Sequence, residues 1–238
     1  MFDDFFETVD TIEAGKGFRL FSPLHIAELV FALAFILLLN HFYKKSSQGK
    51  RKEIRKYLVI ALIIDELIKH VGLLYCGRWA VGYLPLHLCS INIFLIIYHY
   101  FTNNKLVGNF LWAIATFAAA AALLTPNWSP LPFFNLMHLH SYTIHILLLA
   151  YPLIVTINHD IKKDYRMIGK LLVMLAFMAL LVWGINLLLD TNFMFLMFPV
   201  KNTALVLVKQ IFGNYQLGLF VVCVVVVLIM YIPYKVEK

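Results

Sequence analysis

Charge is what this chain has least of. Among 238 residues there are 20 Lys and Arg and 13 Asp and Glu, 14% in all, against 62% hydrophobic residues and a mean hydropathy of +0.81. A soluble domain of this length has no core large enough to hide so much apolar surface, which excludes a soluble enzyme and leaves a polytopic membrane protein. Cysteine is nearly absent too: Cys76, Cys89 and Cys223 lie in three different apolar runs. That spacing excludes a disulfide framework and a CxxC metal site. No HExxH or HxxxH spacing occurs, and no motif repeats between the two halves, as the inverted repeats of many transporters would require. The opening "MFDDFFETVDTIEAGKGF" lacks a basic start and a small-residue cleavage site, so it does not read as a signal peptide.

Long apolar runs are what the chain does have. Stretches near the roughly twenty residues a helix needs to cross a bilayer fall at about 24–43, 57–76, 80–101, 106–125, 139–158, 171–189 and 216–234. They predict an all-α bundle of seven transmembrane helices forming a single membrane domain over 1–238. The net charge of +7 resides largely in "KKSSQGKRKEIRK" and "IKKDYRMIGK", short loops between runs. Basic loops of this kind report topology and anionic lipid, and no nucleic-acid partner is expected. By the positive-inside rule the 44–56 and 159–170 loops and Lys105 are cytoplasmic, which places the N-terminus outside and the C-terminus inside. The 126–138 connection, "PNWSPLPFFNLMH", carries no Lys or Arg and falls outside.

Few polar residues interrupt the runs, and with that topology they collect towards the outer side. At ~1.5 Å per residue, Cys89 lies about 13 Å below the outer boundary and His145 about 9 Å, with Lys69 and His70 near ~10 Å, Glu28 near ~6 Å and Asn186 near ~5 Å. His25, His138 and His140 fall near the outer rim. Ionisable groups at matched depth predict one shared cavity, because each is costly in hydrocarbon. Asp65 with Lys69 and Glu66 with His70 are spaced to pair along helix 2.

The stretch "LPLHLCSINIF", Leu84–Phe94, carries the chemistry. Pro85 suits the first turn of a helix, which would place Cys89 within about a turn of a helix N-terminus, where free amides and the dipole favour a thiolate. His87, two residues away, faces elsewhere, whereas Asn92 shares the face of Cys89. The imidazole must come from another helix, and "HLHSYTIH" offers His138, His140 and His145, of which His145 reaches the depth of Cys89. A thiol beside an imidazole suits acyl transfer through a thioester, with Asn92, Asn186 or Asn192 as oxyanion donors. Two other readings stand beside it. Three of His25, His87, His138, His140 and His145, with Asp65, could hold zinc in a membrane lipid hydrolase. Alternatively the cavity only binds or carries a lipid or solute, with the 191–215 segment, broken by Pro199 and Lys201, as a re-entrant or interfacial piece at a lipid entry.

The order of "FSPLH", "LPLHLCS", "LLTPN", "HSYTIH" and "INLLLDTNFMF" from Phe21 to Pro233 resembles the YwaF-like family of bacterial integral membrane proteins, related to the transmembrane protein 164 acyltransferases. The resemblance implies a multi-pass protein of a bacterial plasma membrane. It also implies transfer of a fatty acyl chain between phospholipid and lyso-lipid without acyl-CoA or any other cofactor or metal. On the family pattern the nucleophile is Cys89, in its Leu-Pro-x-x-x-Cys context, and the histidine pair is His140 and His145. His87, Asn92, Asn186, Asn192, Asp65 and His25 are then candidates for lining the cavity.

Overall fold

A computed structural model describes residues 4–200 and 203–232, and every regular element among them is helical. Helix α1 spans Pro23–Lys45 and α2 spans Gln48–Tyr75. A short turn, Val81–Tyr83, leads to α3, Leu88–Thr102. Helix α4, Lys105–Phe110, runs through a π-helical turn, Leu111–Ala115, into α5, Thr116–Leu124. Then come α6, Leu136–Ile157, α7, Ile168–Leu189, α8, Leu205–Phe212, and α9, Tyr215–Tyr231.

Each expected apolar run is a helix, and the ends differ for local reasons. Helix α2 starts nine residues before the expected 57 because Lys, Arg, Glu and Gln in the basic loop are good helix formers. It stops where Gly77 takes φ +68 beyond Cys76, a left-handed position that glycine fills without strain. Pro85 delays α3 to Leu88, so the expected 80–101 helix is a turn followed by a helix. Asn103, at φ 47, ends α3, and the Asn104 side chain accepts from the Leu106 and Val107 amides to start α4. The last two residues of the expected 216–234 helix, and Lys201, lie outside the described residues.

Among the described residues, five stretches are long and apolar enough to cross a membrane: Pro23–Lys45, Val81–Thr102, Lys105–Leu124, Leu136–Ile157 and Tyr165–Leu189. Helices α8 and α9 meet at 112° and make a sixth if they form one broken span. The expected seventh, α2, has the length but carries Asp65, Glu66 and Lys69 in its middle. Its burial pattern is the reverse of a water-soluble amphipathic helix: Ile64, Leu67, Ile68 and Val71 are exposed while Lys69 is only 5% exposed.

The basic loops gather at one end of the bundle. Tyr43 hydrogen-bonds Asp160, Arg51 reaches Asp160 at 3.4 Å, and Arg55 donates to Asn103 Oδ1 at 3.1 Å. At the other end the N-terminal segment folds over α2 and α6. Asn135, the cap of α6, donates to the Asp4 and Glu7 carbonyls at 2.7 and 2.8 Å, and the Phe18 amide donates to the Ser129 carbonyl at 2.9 Å. A Cβ on Gly17 would lie 2.1 Å from the Ser129 oxygen, so only glycine allows this crossing.

Arg78 clamps the segment through Glu7 and donates to Thr11 at 2.7 Å. The Thr11 hydroxyl first, and Arg78 beside it, hold the Glu7 carboxyl below the usual carboxylate range. The stabilisation from a lowered pKa is complete above the unfolded value and is lost as pH falls through the folded one. Acidification below the normal carboxylate range is therefore expected to loosen this segment in an amide-exchange experiment. Glu7→Gln, already lacking the charge, should remove the step.

Candidate functional site

Helix α3 begins with His87 as its N-cap residue, so Cys89 is the second helical residue, closer to the amide-rich end than a one-turn margin requires. Cys89 is partly buried against the core that contains Ile93, Ile96, Ala115, Ala119, Ile144 and Leu148. That core joins α3 to the π-turn, α5 and α6, and its π-turn is bonded by Thr116 Oγ1 to the Leu111 carbonyl at 3.1 Å. Helix α2, which carries Lys69 and Glu66, packs against α3. Asn92, one turn further along α3, is 1% exposed and its Oδ1 has no hydrogen-bond partner.

His145 donates from Nδ1 to the Ser141 carbonyl one turn earlier, at 2.6 Å. That bond fixes the tautomer and leaves the Nε2 lone pair free. The ring stacks on Trp128 at 5.1 Å and 20°, so the 126–138 connection holds its orientation. No hydrogen bond joins Cys89 to His145 among the described residues.

Helix α2 supplies the acids. Glu66 binds Lys69 and lies 3.3 Å from His70 Nε2, whose other nitrogen accepts from Trp79 at 3.2 Å. The expected Asp65–Lys69 pair does not form. Lys69 takes Glu66, three residues away, and Asp65 turns to α6, where it accepts from Thr143 at 3.0 Å and lies 3.5 Å from His140 Nδ1. His140 Nε2 is 3.6 Å from Glu66 Oε2. His140 thus sits between two carboxylates, yet its Nδ1 and Glu66 Oε2 are buried without a hydrogen bond.

Other candidates are occupied. Asn186 spends its amide on the 191–193 backbone, donating to the Phe193 carbonyl at 3.0 Å and accepting from its amide at 2.8 Å. Asn192 does the same for Met197 and Phe198. Both Nδ2 groups are thus spent on backbone carbonyls. His87 accepts from the Met194 amide at 3.3 Å and lies between the rings of Phe193 and Phe195, so it faces the 191–215 segment. His25 is buried at 2% exposure, accepts from the Phe21 amide and donates to the Leu123 carbonyl, both at 2.9 Å. His138 is also buried, with Glu28 at 2.6 Å and the Leu131 carbonyl at 3.3 Å. With those rings engaged, no three His, Cys, Asp or Glu side chains converge as a metal-binding set among the described residues.

The spacing paired Lys69 with Asp65 and Glu66 with His70 along the helix, although four ionisable residues within Asp65–His70 of an apolar run were the signal for more. Nothing local to Trp128 announces its stacking on His145. On the exposed apolar side of α2 lies a groove of about 490 Å³, lined by Ile64, Leu67, Ile68, Val71 and Tyr75 together with Phe5 and Phe6.

No curated protein and no solved structure matches this chain. The model of the TMEM164 family matches residues 20–234, a range that holds Cys89, Asn92, His140, His145 and the acidic face of α2. Since that match covers nearly the whole chain in one piece, the protein belongs to the TMEM164 family.

Proposed function

We propose that this protein is a lipid acyltransferase of a bacterial plasma membrane, working through a Cys89 thioester and independent of acyl-CoA. The observations that support the reading are a thiol at the second residue of α3 and, on α6, which packs against α3, an imidazole, His145, whose Nδ1 is held by the Ser141 carbonyl. Helix α2 counts as a seventh span, its ions turned inward and its isoleucines outward, with the basic loops cytoplasmic.

In this reading the Cys89 thiolate attacks the ester carbonyl of a phospholipid, a C–S bond forms, and the C–O bond breaks. The departing alkoxide takes a proton from the His145 imidazolium and leaves as lyso-lipid. An acceptor hydroxyl then gives its proton to His145 Nε2 and attacks the thioester, which restores the thiolate. Lys69, held by Glu66, balances thiolate charge, and His140, held by Asp65 and Glu66, keeps the α2–α6 seam polar. Asn92, one turn from Cys89 on the same helix, offers its Nδ2 hydrogens to the oxyanion. Asn92→Ala is accordingly expected to slow transfer by roughly 10²-fold with little change in substrate affinity, the size found when one oxyanion donor is lost.

The test is intact-protein mass spectrometry of wild type, Cys89→Ala and His145→Ala after incubation with defined phospholipids in nanodiscs. A hydroxylamine-labile mass increase of one acyl chain, absent from Cys89→Ala and retained in His145→Ala, supports the thioester. No adduct and no lyso-lipid in any variant would replace the enzyme with a lipid-binding or transporting protein.

A further inference from the structure

We propose that the groove between α4 and α7, at the end of the bundle carrying the basic loops, is a binding site for one anionic phospholipid. The groove has a volume of about 460 Å³ and is lined by Leu106, Gly169, Lys170, Val173, Met174 and Phe177. Five of these six residues are uncharged, and the sixth is a lysine in the first turn of α7. From Lys170 to Phe177 the helix rises ~10 Å, a distance that stays within one leaflet of a ~30 Å hydrocarbon layer. The shape is that of an acyl chain with a cation at its head.

The head of the groove is positive and open. Lys170 is exposed and makes no ion pair among the described residues, and neither does Lys105, which precedes Leu106 in the first turn of α4. Glycine at 169 leaves the space beside Lys170 clear, since a Cβ there would meet nothing within 4 Å. Helix α7 continues from the turn Tyr165–Met167, whose start the Asp164 side chain caps, so the charge at the head of the groove comes from the lysines. An ammonium above an apolar trough fits a phosphodiester of net negative charge with its chain below. A free phosphate has no use for Val173, Met174 and Phe177, and a zwitterionic lipid brings its own ammonium to Lys170. The site lies on different helices from Cys89, so it does not depend on the acyltransferase reading.

The experiment is native mass spectrometry in the Cys89→Ala background, where acyl chemistry cannot consume lipid, with phosphatidylglycerol and phosphatidylcholine offered in equal amounts. One phosphatidylglycerol is expected to stay bound. Lys170→Ala should weaken its retention about fivefold, the effect of one lysine near an anionic headgroup, and Lys170→Arg should preserve it. Lys52→Ala, in the other basic loop, serves as the control and should change nothing. If Lys170→Ala does not fold, Gly169→Leu, which fills the groove and leaves both lysines, should also lose the bound lipid. Equal retention of the two lipids by the wild type, or equal loss with Lys52→Ala, would overturn the site and reduce the groove to ordinary lipid-facing surface.

Discussion

Replacing Cys89 by alanine is expected to lower acyl transfer by ~10³-fold or more, since a covalent route has no substitute for its nucleophile. The other two thiols give the comparison. Cys76 Sγ donates to the Leu73 carbonyl at 3.4 Å at the end of α2, and Cys223 packs with the hydrophobic cluster of Leu171, Leu175 and Val227. Alanine at either should leave the rate within a factor of about two, the ordinary scale of a tolerated small apolar swap. Alkylation should separate the thiols as well, with Cys89 reacting faster than Cys76 because it stands at a helix start near the Lys69 charge. Transfer that survives in Cys89→Ala, or a Cys76→Ala variant equally impaired, would remove the thioester from the mechanism.

The helices were legible because hydrophobicity alone decides them. The seven apolar runs correspond to helices, with α2 starting nine residues early and α3 eight residues late, and several ends trace to a named residue: Pro85 delaying α3, Gly77 stopping α2, Asn103 ending α3. What could not be read was anything made by distant partners. The choice of Glu66 rather than Asp65 for Lys69 is set by α6, which offers Thr143 and His140 to Asp65. The commitment of Asn186 and Asn192 to the backbone beyond α7 is also made by partners that no local pattern records. Periodicity likewise has no signature for one extra residue in a turn, so the π-turn beside the Cys89 core stayed hidden inside an even apolar stretch. The N-terminal segment, read from the sequence only as not a signal peptide, is tied down by backbone carbonyls at Asp4 and Glu7 that no side-chain pattern records.

Histidines two residues apart on α6 illustrate how the two roles divide, and they supply the second large effect. His138 and His140 are about 200° apart around the helix, so one faces α1 and the other α2. Glu28 and His138 are 6% and 0% exposed, hydrogen-bonded at 2.6 Å, and covered by Phe18 and Phe133 at ring distances of 5.2 and 5.7 Å. Removing one partner leaves the other buried and unpaired, so Glu28→Leu or His138→Leu alone is expected to cost about 3–5 kcal/mol of stability. The double variant Glu28→Leu/His138→Phe removes both polar groups and should recover most of that loss, because a well-packed apolar pair often replaces a buried ionisable pair at little net cost. Thermal unfolding in detergent measures the cycle, and acyl transfer per folded molecule should stay near wild type throughout. His140→Phe should do the opposite, lowering the rate with a smaller change in melting temperature, since Asp65 keeps Thr143 and Glu66 keeps Lys69. A Glu28→Leu protein as stable as wild type, or a double variant no better than the singles, would show that the pair is not what joins α1 to α6.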